Sequence, residues 1–379
     1  MDDTKILLVG IGGYGDVYVN ALRQGKARGG YQIAGVVDPF AQRAPSHQAL
    51  LADGVPFYSS LEDFYRDQRA DLAVISTPTS LHAEQAMIAI SQNTHVLVEK
   101  PIAATHADAQ KVADAATAQG VKLAVGFQWC YDAAMLRFKR DVDAGRFGAP
   151  KRMRALVIWP RDKAYYARGT GWAGKKYDAQ GRAAFDSVAS NATAHYIENM
   201  LWIAGSGYDG SAVADLESEI WRANAIETFD TVTFRATLDC GAQIYYAASH
   251  ATKPGTQQDP MFEYEFERAT ARFGGFGEKG ARLTATFHDG SVKDYGVSDN
   301  GTDVKIWTML DAIRNGADIP CPPAAAIKHA QLISMLHKAS PEARVLENIV
   351  ETEERVYVPG LEDRLVRCYE ARALLSEIS

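Results

Sequence analysis

Cysteine is scarce in this chain. Its 379 residues hold four, Cys130, Cys240, Cys321 and Cys368, widely separated and without a C-x-x-C pair. Such spacing argues against a disulfide framework or a local zinc ribbon, and leaves reduced, packed thiols as the expectation. The nine histidines show no H-E-x-x-H or comparable ligand spacing, so no metal site is expected. Basic charge is also in deficit: 40 Lys and Arg stand against 47 Asp and Glu, a net charge of −7, which points away from a nucleic-acid partner. No apolar run reaches the roughly 18 residues of a membrane span. The start, Met1-Asp2-Asp3-Thr4-Lys5, lacks the basic opening and long apolar stretch of a secretory leader, so a cytoplasmic location is expected. Internal repeats and low-complexity tracts are missing as well.

What the chain does have is apolar material, 47% of it by residue type, enough for more than one core at this length. Short apolar runs alternate with helical patterns in the first third. Ile6–Val9, Ile33–Val37, Leu72–Ile75, His95–Val98 and Leu123–Val125 read as strands buried on both faces. Helices are expected at about 61–68, 80–92 and 105–119, the last closed by Gly120. This alternation predicts a Rossmann-like doubly wound parallel sheet over 1–126. The texture then changes. A helix over Ala133–Ala144 and a strand over Lys151–Trp159 precede a loop rich in Trp, Tyr and Arg. One long helix is expected from Val188 to Ala204. Strand-like runs at 216–223, 229–238, 242–250, 261–268 and 282–287 follow with few helices between them, and helices return at 303–315 and 324–338. The second part, 127–379, therefore reads as an α+β domain with an open, mostly antiparallel sheet.

Gly10-Ile11-Gly12-Gly13-Tyr14-Gly15 fits G-x-G-x-x-G and sits between a buried strand and a helix. In that setting Gly10 allows the tight turn, Gly12 lets the backbone approach a pyrophosphate, and Gly15 allows close helix–strand packing. The helix N-terminus offers N–H groups to the phosphates. Asp38 ends the second strand, 23 residues after Gly15, and suits an acceptor for the adenosine ribose. This favours NAD, while Arg43 is near enough in sequence to meet the 2′-phosphate of NADP. Thr77 and Pro78, at the carboxyl end of the third strand, should run along the cofactor, with His82 within reach.

The fourth strand ends in Glu99-Lys100-Pro101. A lysine at that end can bind a substrate hydroxyl and move its proton, and partial burial would lower its pKa. The order of the glycine motif, Thr77-Pro78 and Glu99-Lys100-Pro101 resembles the Gfo/Idh/MocA family of glucose–fructose oxidoreductases and inositol dehydrogenases. Val125-Gly126-Phe127-Gln128 is similar to the family's passage into its second domain, and adds Glu99 and Gln128 to the expected cofactor contacts. The resemblance implies NAD- or NADP-dependent oxidation or reduction of sugars, polyols or related molecules, with Lys100 at the reacting hydroxyl. It also implies homodimers or homotetramers. The family's Asp and His, four residues apart on one helix face, match Asn191 and His195. Asn191 can orient a hydroxyl but not act as a base, so proton transfer would fall to His195 and Lys100, unless Asp186 takes part or instead caps the helix.

Trp159, Arg161, Tyr165, Arg168 and Trp172 lie in the aromatic, Arg- and Gly-rich segment expected to wall the substrate pocket. There, rings would pack sugar C–H faces and arginines would bind hydroxyls or a carboxylate. Glu227 and His250 fall in the presumed sheet without an assigned role. The resulting expectation is hydride transfer between nicotinamide and a secondary hydroxyl or ketone of a sugar, polyol or sugar acid. Two rivals from the same family are a glycoside hydrolase that retains NAD for a transient oxidation and elimination, and a non-enzymatic dinucleotide-binding sensor.

Overall fold

The computed structural model describes residues 3–378 apart from 170, 277–279 and 300; Thr170 of the aromatic segment thus lies outside the described residues. The first strand, β1 (Thr4–Val9), is buried at every position except Lys5, as its unbroken apolar run requires. It leads through the glycine turn into α1 (Gly15–Gln24). There follow β2 (Tyr31–Val37), α2 (His47–Ala52), β3 (Phe57–Tyr58), α3 (Leu61–Asp67), β4 (Leu72–Ile75), α4 (Thr79–Ser91), β5 (His95–Val98), α5 (His106–Gln119) and β6 (Leu123–Val125). All six strands are parallel, in the order β3-β2-β1-β4-β5-β6. The order reverses between β1 and β4, so the carboxyl ends of these two strands form the crevice where an open α/β sheet takes its ligand. Caps fix the helices around it. Ser60 and Thr105 accept from the backbone N–H of Asp63 and Asp108 at the starts of α3 and α5, and α5 ends at Gly120.

The rest of the chain builds a second sheet. Its elements are α6 (Ala133–Asp143), β7 (Pro150–Ile158), α7 (Lys163–Ala167), α8 (Ala194–Ala204), β8 (Val213–Arg222), β9 (Thr231–Leu238), β10 (Gln243–Ser249), β11 (Gln258–Phe266), β12 (Ala269–Phe273), β13 (Arg282–Phe287), β14 (Val292–Val297), α9 (Val304–Asn315), α10 (Pro323–Ala339), the short strands β15 (Arg344–Val345), β16 (Val350–Glu351) and β17 (Val356–Tyr357), and α11 (Leu361–Ala371). Nine strands run in the order β14-β13-β12-β11-β7-β10-β9-β8-β15. Pairing is antiparallel except for β7 with β10 and β8 with β15. One face packs on α8 and α10, the other carries α11 over Leu156, Ile158, Tyr245 and Ala247. A parallel sheet followed by a mostly antiparallel one is the expected fold class.

Two details depart from expectation. The helix expected over 188–204 is broken: Val188–Ala192 is a π-helical turn, and α8 begins only at Ala194. Ser187 and Ser190 form the capping box of that turn, so the cap is Ser187 and not Asp186. In addition, α9 folds back onto the first sheet. Its Ile306, Met309 and Leu310 join Ile6, Leu8, Tyr18, Val19 and Leu22 in one core.

Candidate active site

The glycine turn has the geometry its residue types call for. Gly10 has a φ of +78°, and a Cβ at Gly15 would stand 2.1 Å from the Gly10 carbonyl oxygen, so helix and strand meet only because Gly15 has no side chain. Gly12 faces open space: a Cβ there would meet nothing within 4 Å. Gly13 adjoins the same space. The Asp38 carboxylate accepts from the Ile11 N–H at 3.0 Å and from Phe40 N–H at 2.8 Å, tying β2 to the turn. Thr77 Oγ1 donates to Gln85, and Pro78 is the residue that starts α4. His82 is buried, its Nδ1 and Nε2 lying 2.7 Å and 2.8 Å from the carbonyl oxygens of Pro101 and Thr77. It thus clamps the ends of β4 and β5 to each other. Gln128 is part-buried at the first turn after β6.

At the end of β5 the two charges of Glu99-Lys100 point to different partners. Glu99 accepts from the Tyr18 hydroxyl and from Lys305 of α9, an ion pair with both side chains almost wholly buried. Lys305 also donates to the Tyr14 hydroxyl at 2.8 Å and lies 4.4 Å from the centre of that ring. Lys305 is a site residue the sequence reading missed. Its one signal is a lysine beside Ile306, on the stripe that Met309 and Leu310 continue.

Lys100 Nζ donates to the backbone oxygen of Asn191 at 2.7 Å and to its Oδ1 at 2.8 Å. Asn191 Nδ2 donates to Asp186 Oδ1 at 2.8 Å, and Asp186 Oδ2 accepts from Gly174 N–H at 2.7 Å. The break before α8 makes this possible: the π turn presents the Asn191 carbonyl, which a regular helix would hold in its own ladder. Lys100, Asn191 and Asp186 therefore form one chain, with the amide oriented by a cation at one end and a carboxylate at the other. An ammonium has three N–H donors, so two bonds leave one for a substrate. Burial lowers the Lys100 pKa to about 8, against the upward pull of Glu99 and Asp186 and with the help of Lys305 and Arg168. Asp186 is pushed up by burial and held back by Gly174, Arg168, Asn191 and Lys100.

His195 stands in the same electrostatic neighbourhood. Burial first, then Lys100, Lys305 and His329, drive its pKa well below the usual range, so it is a neutral imidazole. Its Nδ1 has no partner among the described residues, and its ring meets Phe127 edge-on at 5.9 Å. In the aromatic segment the rings are taken by guanidiniums: Arg168 lies 3.6 Å from the centre of Tyr165 and 4.6 Å from that of Trp172, and Arg161 lies 5.0 Å from Tyr165 and 5.6 Å from Trp159.

Away from these residues, Cys130, Glu198 and Cys321 come together, with donor atoms within 4.8 Å of one another and all three buried. Burial pushes both the Glu198 carboxyl and the Cys130 thiol well up, which keeps these two groups neutral. No sequence spacing could have joined residues 130 and 321. All four cysteines are free.

Residues 4–127 match the model of an oxidoreductase family with an NAD-binding Rossmann fold, the Gfo/Idh/MocA family. Residues 4–127 are thus similar to the Rossmann domain of that family. Among the chain's relatives is the inositol 2-dehydrogenase of Salmonella paratyphi B, 30% identical over 147 residues, which are 38% of this chain and 43% of the relative. Another is the rhizopine catabolism protein MocA of Rhizobium meliloti, 26% identical over 201 residues, 53% of this chain and 57% of that one. The match thus spans less than half the length of the inositol dehydrogenase. The fold as a whole is similar to the WlbA dehydrogenase of Bordetella pertussis, solved in complex with NADH and UDP-GlcNAcA. There the TM-score is 0.71 at 23% identity, covering 89% of this chain and 97% of that one.

Proposed function

We propose that this chain is an NAD(H)-dependent dehydrogenase or reductase acting on a secondary hydroxyl, or the matching ketone, of a sugar, polyol or sugar acid. The observation that carries the reading is Lys100: a part-buried amine with a pKa of about 8, fixed by Asn191 and keeping one donor for substrate. The open space at Gly12, the closed contact at Gly15 and the carboxylate of Asp38 fit a dinucleotide on Gly10, Gly12, Gly13, Tyr14, Gly15 and Asp38, with Thr77, Pro78, Glu99 and Gln128 along it. When bound, the nicotinamide takes or returns the hydride.

The chain's own groups handle the proton. In oxidation, Lys100 binds the substrate hydroxyl and, in its neutral form, accepts the proton; in reduction, the ammonium supplies it. His195, neutral through burial, offers a ring nitrogen to the same hydroxyl and orients it. Asn191 positions Lys100, and Trp159, Arg161, Tyr165, Arg168 and Trp172 line the substrate's far side. The division into a dinucleotide part, 1–126, and a substrate and self-association part, 127–379, goes with this reading. So do a cytoplasmic location, in keeping with four unpaired cysteines, and a homodimer or homotetramer formed through the open second sheet, which light scattering on the purified chain would test. No helix among the described residues is long and apolar enough to cross a membrane.

The test is formation of the reduced nicotinamide chromophore with NAD or NADP and a panel of sugars, polyols and sugar acids, run beside Lys100→Met. Acid–base groups of this kind contribute about 100- to 10,000-fold, so the variant should lose turnover on that scale and keep its affinity for the cofactor. Undiminished turnover in Lys100→Met would remove Lys100 from the reaction.

A further inference from the structure

The segment after β7 continues beside β10: Trp159 N–H donates to the Ser249 carbonyl and Arg161 N–H to that of His250, each at 3.0 Å. Asp162 caps α7 by accepting from Tyr165 N–H at 2.8 Å. These bonds bring Arg161, Tyr165, Arg168 and His250 together. Elsewhere on this sheet arginines meet acids: Arg152 with Glu265, Arg154 with Glu263, Arg235 with Glu217, Arg282 with Asp294. Arg161 and Arg168 have no such partner among the described residues. Both are part-buried and share the Tyr165 ring, and Arg161 Nε is buried without a hydrogen bond among the described residues. Arg168 spends one nitrogen on the Tyr165 carbonyl.

His250 is 1% exposed. Its Nδ1 lies 2.8 Å from the Trp159 carbonyl, an acceptor, so the ring proton sits on Nδ1 and Nε2 keeps its lone pair. That buried Nε2 has no partner among the described residues, and its ring meets Tyr165 at 5.5 Å. Burial and the charge of Arg161 hold the ring neutral, its pKa down at about 3. Arg168 lies over Trp172, two residues before Gly174, whose N–H bonds Asp186 of the Lys100–Asn191–Asp186 chain, so these groups adjoin the site that Lys100 serves.

We propose that Arg161, Arg168 and His250 form a subsite for the carboxylate and adjacent hydroxyl of a hydroxy acid, which makes a sugar acid, and not a neutral sugar or polyol, the substrate class. The proposal rests on the reading of Lys100 as the group at the reacting hydroxyl. Two guanidiniums over one ring concentrate positive charge, and a carboxylate beside them offsets it while accepting paired N–H bonds. A neutral ligand would shed the water around both cations without giving either a carboxylate to pair with. The hydroxyl next to the carboxylate donates to His250 Nε2, which has only acceptor capacity to give.

The experiment compares D-gluconate and D-galacturonate with D-glucitol and D-galactose on the full chain. It measures calorimetric binding in the presence of NADH and steady-state turnover with NAD. The acids should bind at millimolar concentration or below, about tenfold or more tighter than their neutral counterparts. Arg161→Gln and Arg168→Gln should each remove most of that preference and raise KM for the acid more than they change kcat. Arg168→Lys should restore part of it, and the affinity for NADH should stay unchanged in all three. Equal binding of acid and neutral ligands, no binding of either acid, or an equal effect of the variants on both classes would overturn the proposal. Arginine-dependent binding of acids without any turnover would uphold the subsite and count against the dehydrogenase reading; turnover blind to the carboxylate would do the reverse.

Discussion

The place of Lys100 was legible, because a charged pair at the end of a buried strand calls for partners, and the proposed chemistry rests on that place. Its surroundings were not. The family's acid is Asn191 here, and the structure supplies a carboxylate from five residues upstream, Asp186, which reaches Lys100 through the Asn191 amide. A side chain that acts through another leaves no spacing signature. The arrangement makes Asp186 a positioning residue, and its removal has a defined sign. Asp186 pulls the Lys100 pKa up, so Asp186→Asn should lower it below about 8. The rising limb of the oxidation pH profile, which tracks neutral Lys100, should then move to lower pH by up to about one unit, with kcat down by about tenfold. Asp186→Glu should recover part of both. A kcat loss with an unmoved pH profile would mean that Asp186 only supports the fold.

Among the elements, the β1–α1 turn was read down to the steric need at Gly10 and Gly15, since strand, turn and helix are local. The turn allows a sharp comparison. Gly12→Ala adds a Cβ to open space and should leave the melting temperature unchanged while weakening NAD binding about tenfold or more, because the methyl occupies the path of the pyrophosphate. Gly15→Ala drives a Cβ to 2.1 Å from the Gly10 carbonyl oxygen, and should cost stability, about 1–3 kcal/mol, as well as affinity. Paired cofactor titrations and thermal melts decide it, and a Gly12→Ala protein that binds NAD normally would place the cofactor elsewhere. The helix expected over 188–204 shows the opposite limit. Its apolar pattern runs unbroken across the π turn, so periodicity joined two elements that hydrogen bonding separates. The strand β12 and the edge strand β14 were overlooked because they are short and half polar.

At the scale of the whole molecule, the sequence patterns describe α9 well but are silent about where it lies. A helical period predicts a buried stripe without naming what buries it, and a return across nearly 300 residues is set by the packing of both sheets. The return is held at its centre by charge. Lys305 reaches Glu99 and the Tyr14 hydroxyl from beneath the glycine turn, in surroundings closed to water. Two ions removed from water gain little net stability from each other, yet either one left alone is strongly unfavourable. Lys305→Met should therefore destabilise the protein by about 3–5 kcal/mol, seen as a lower urea midpoint, because Glu99 stays buried without its cation. Glu99→Gln combined with Lys305→Met should regain most of the loss, since the amide is neutral and can still accept the Tyr18 hydroxyl. If the double variant is as unstable as the single one, α9 is held by its apolar face alone, through Ile306, Met309 and Leu310. If it recovers, the buried ion pair is what ties the last third of the chain to the turn that begins it.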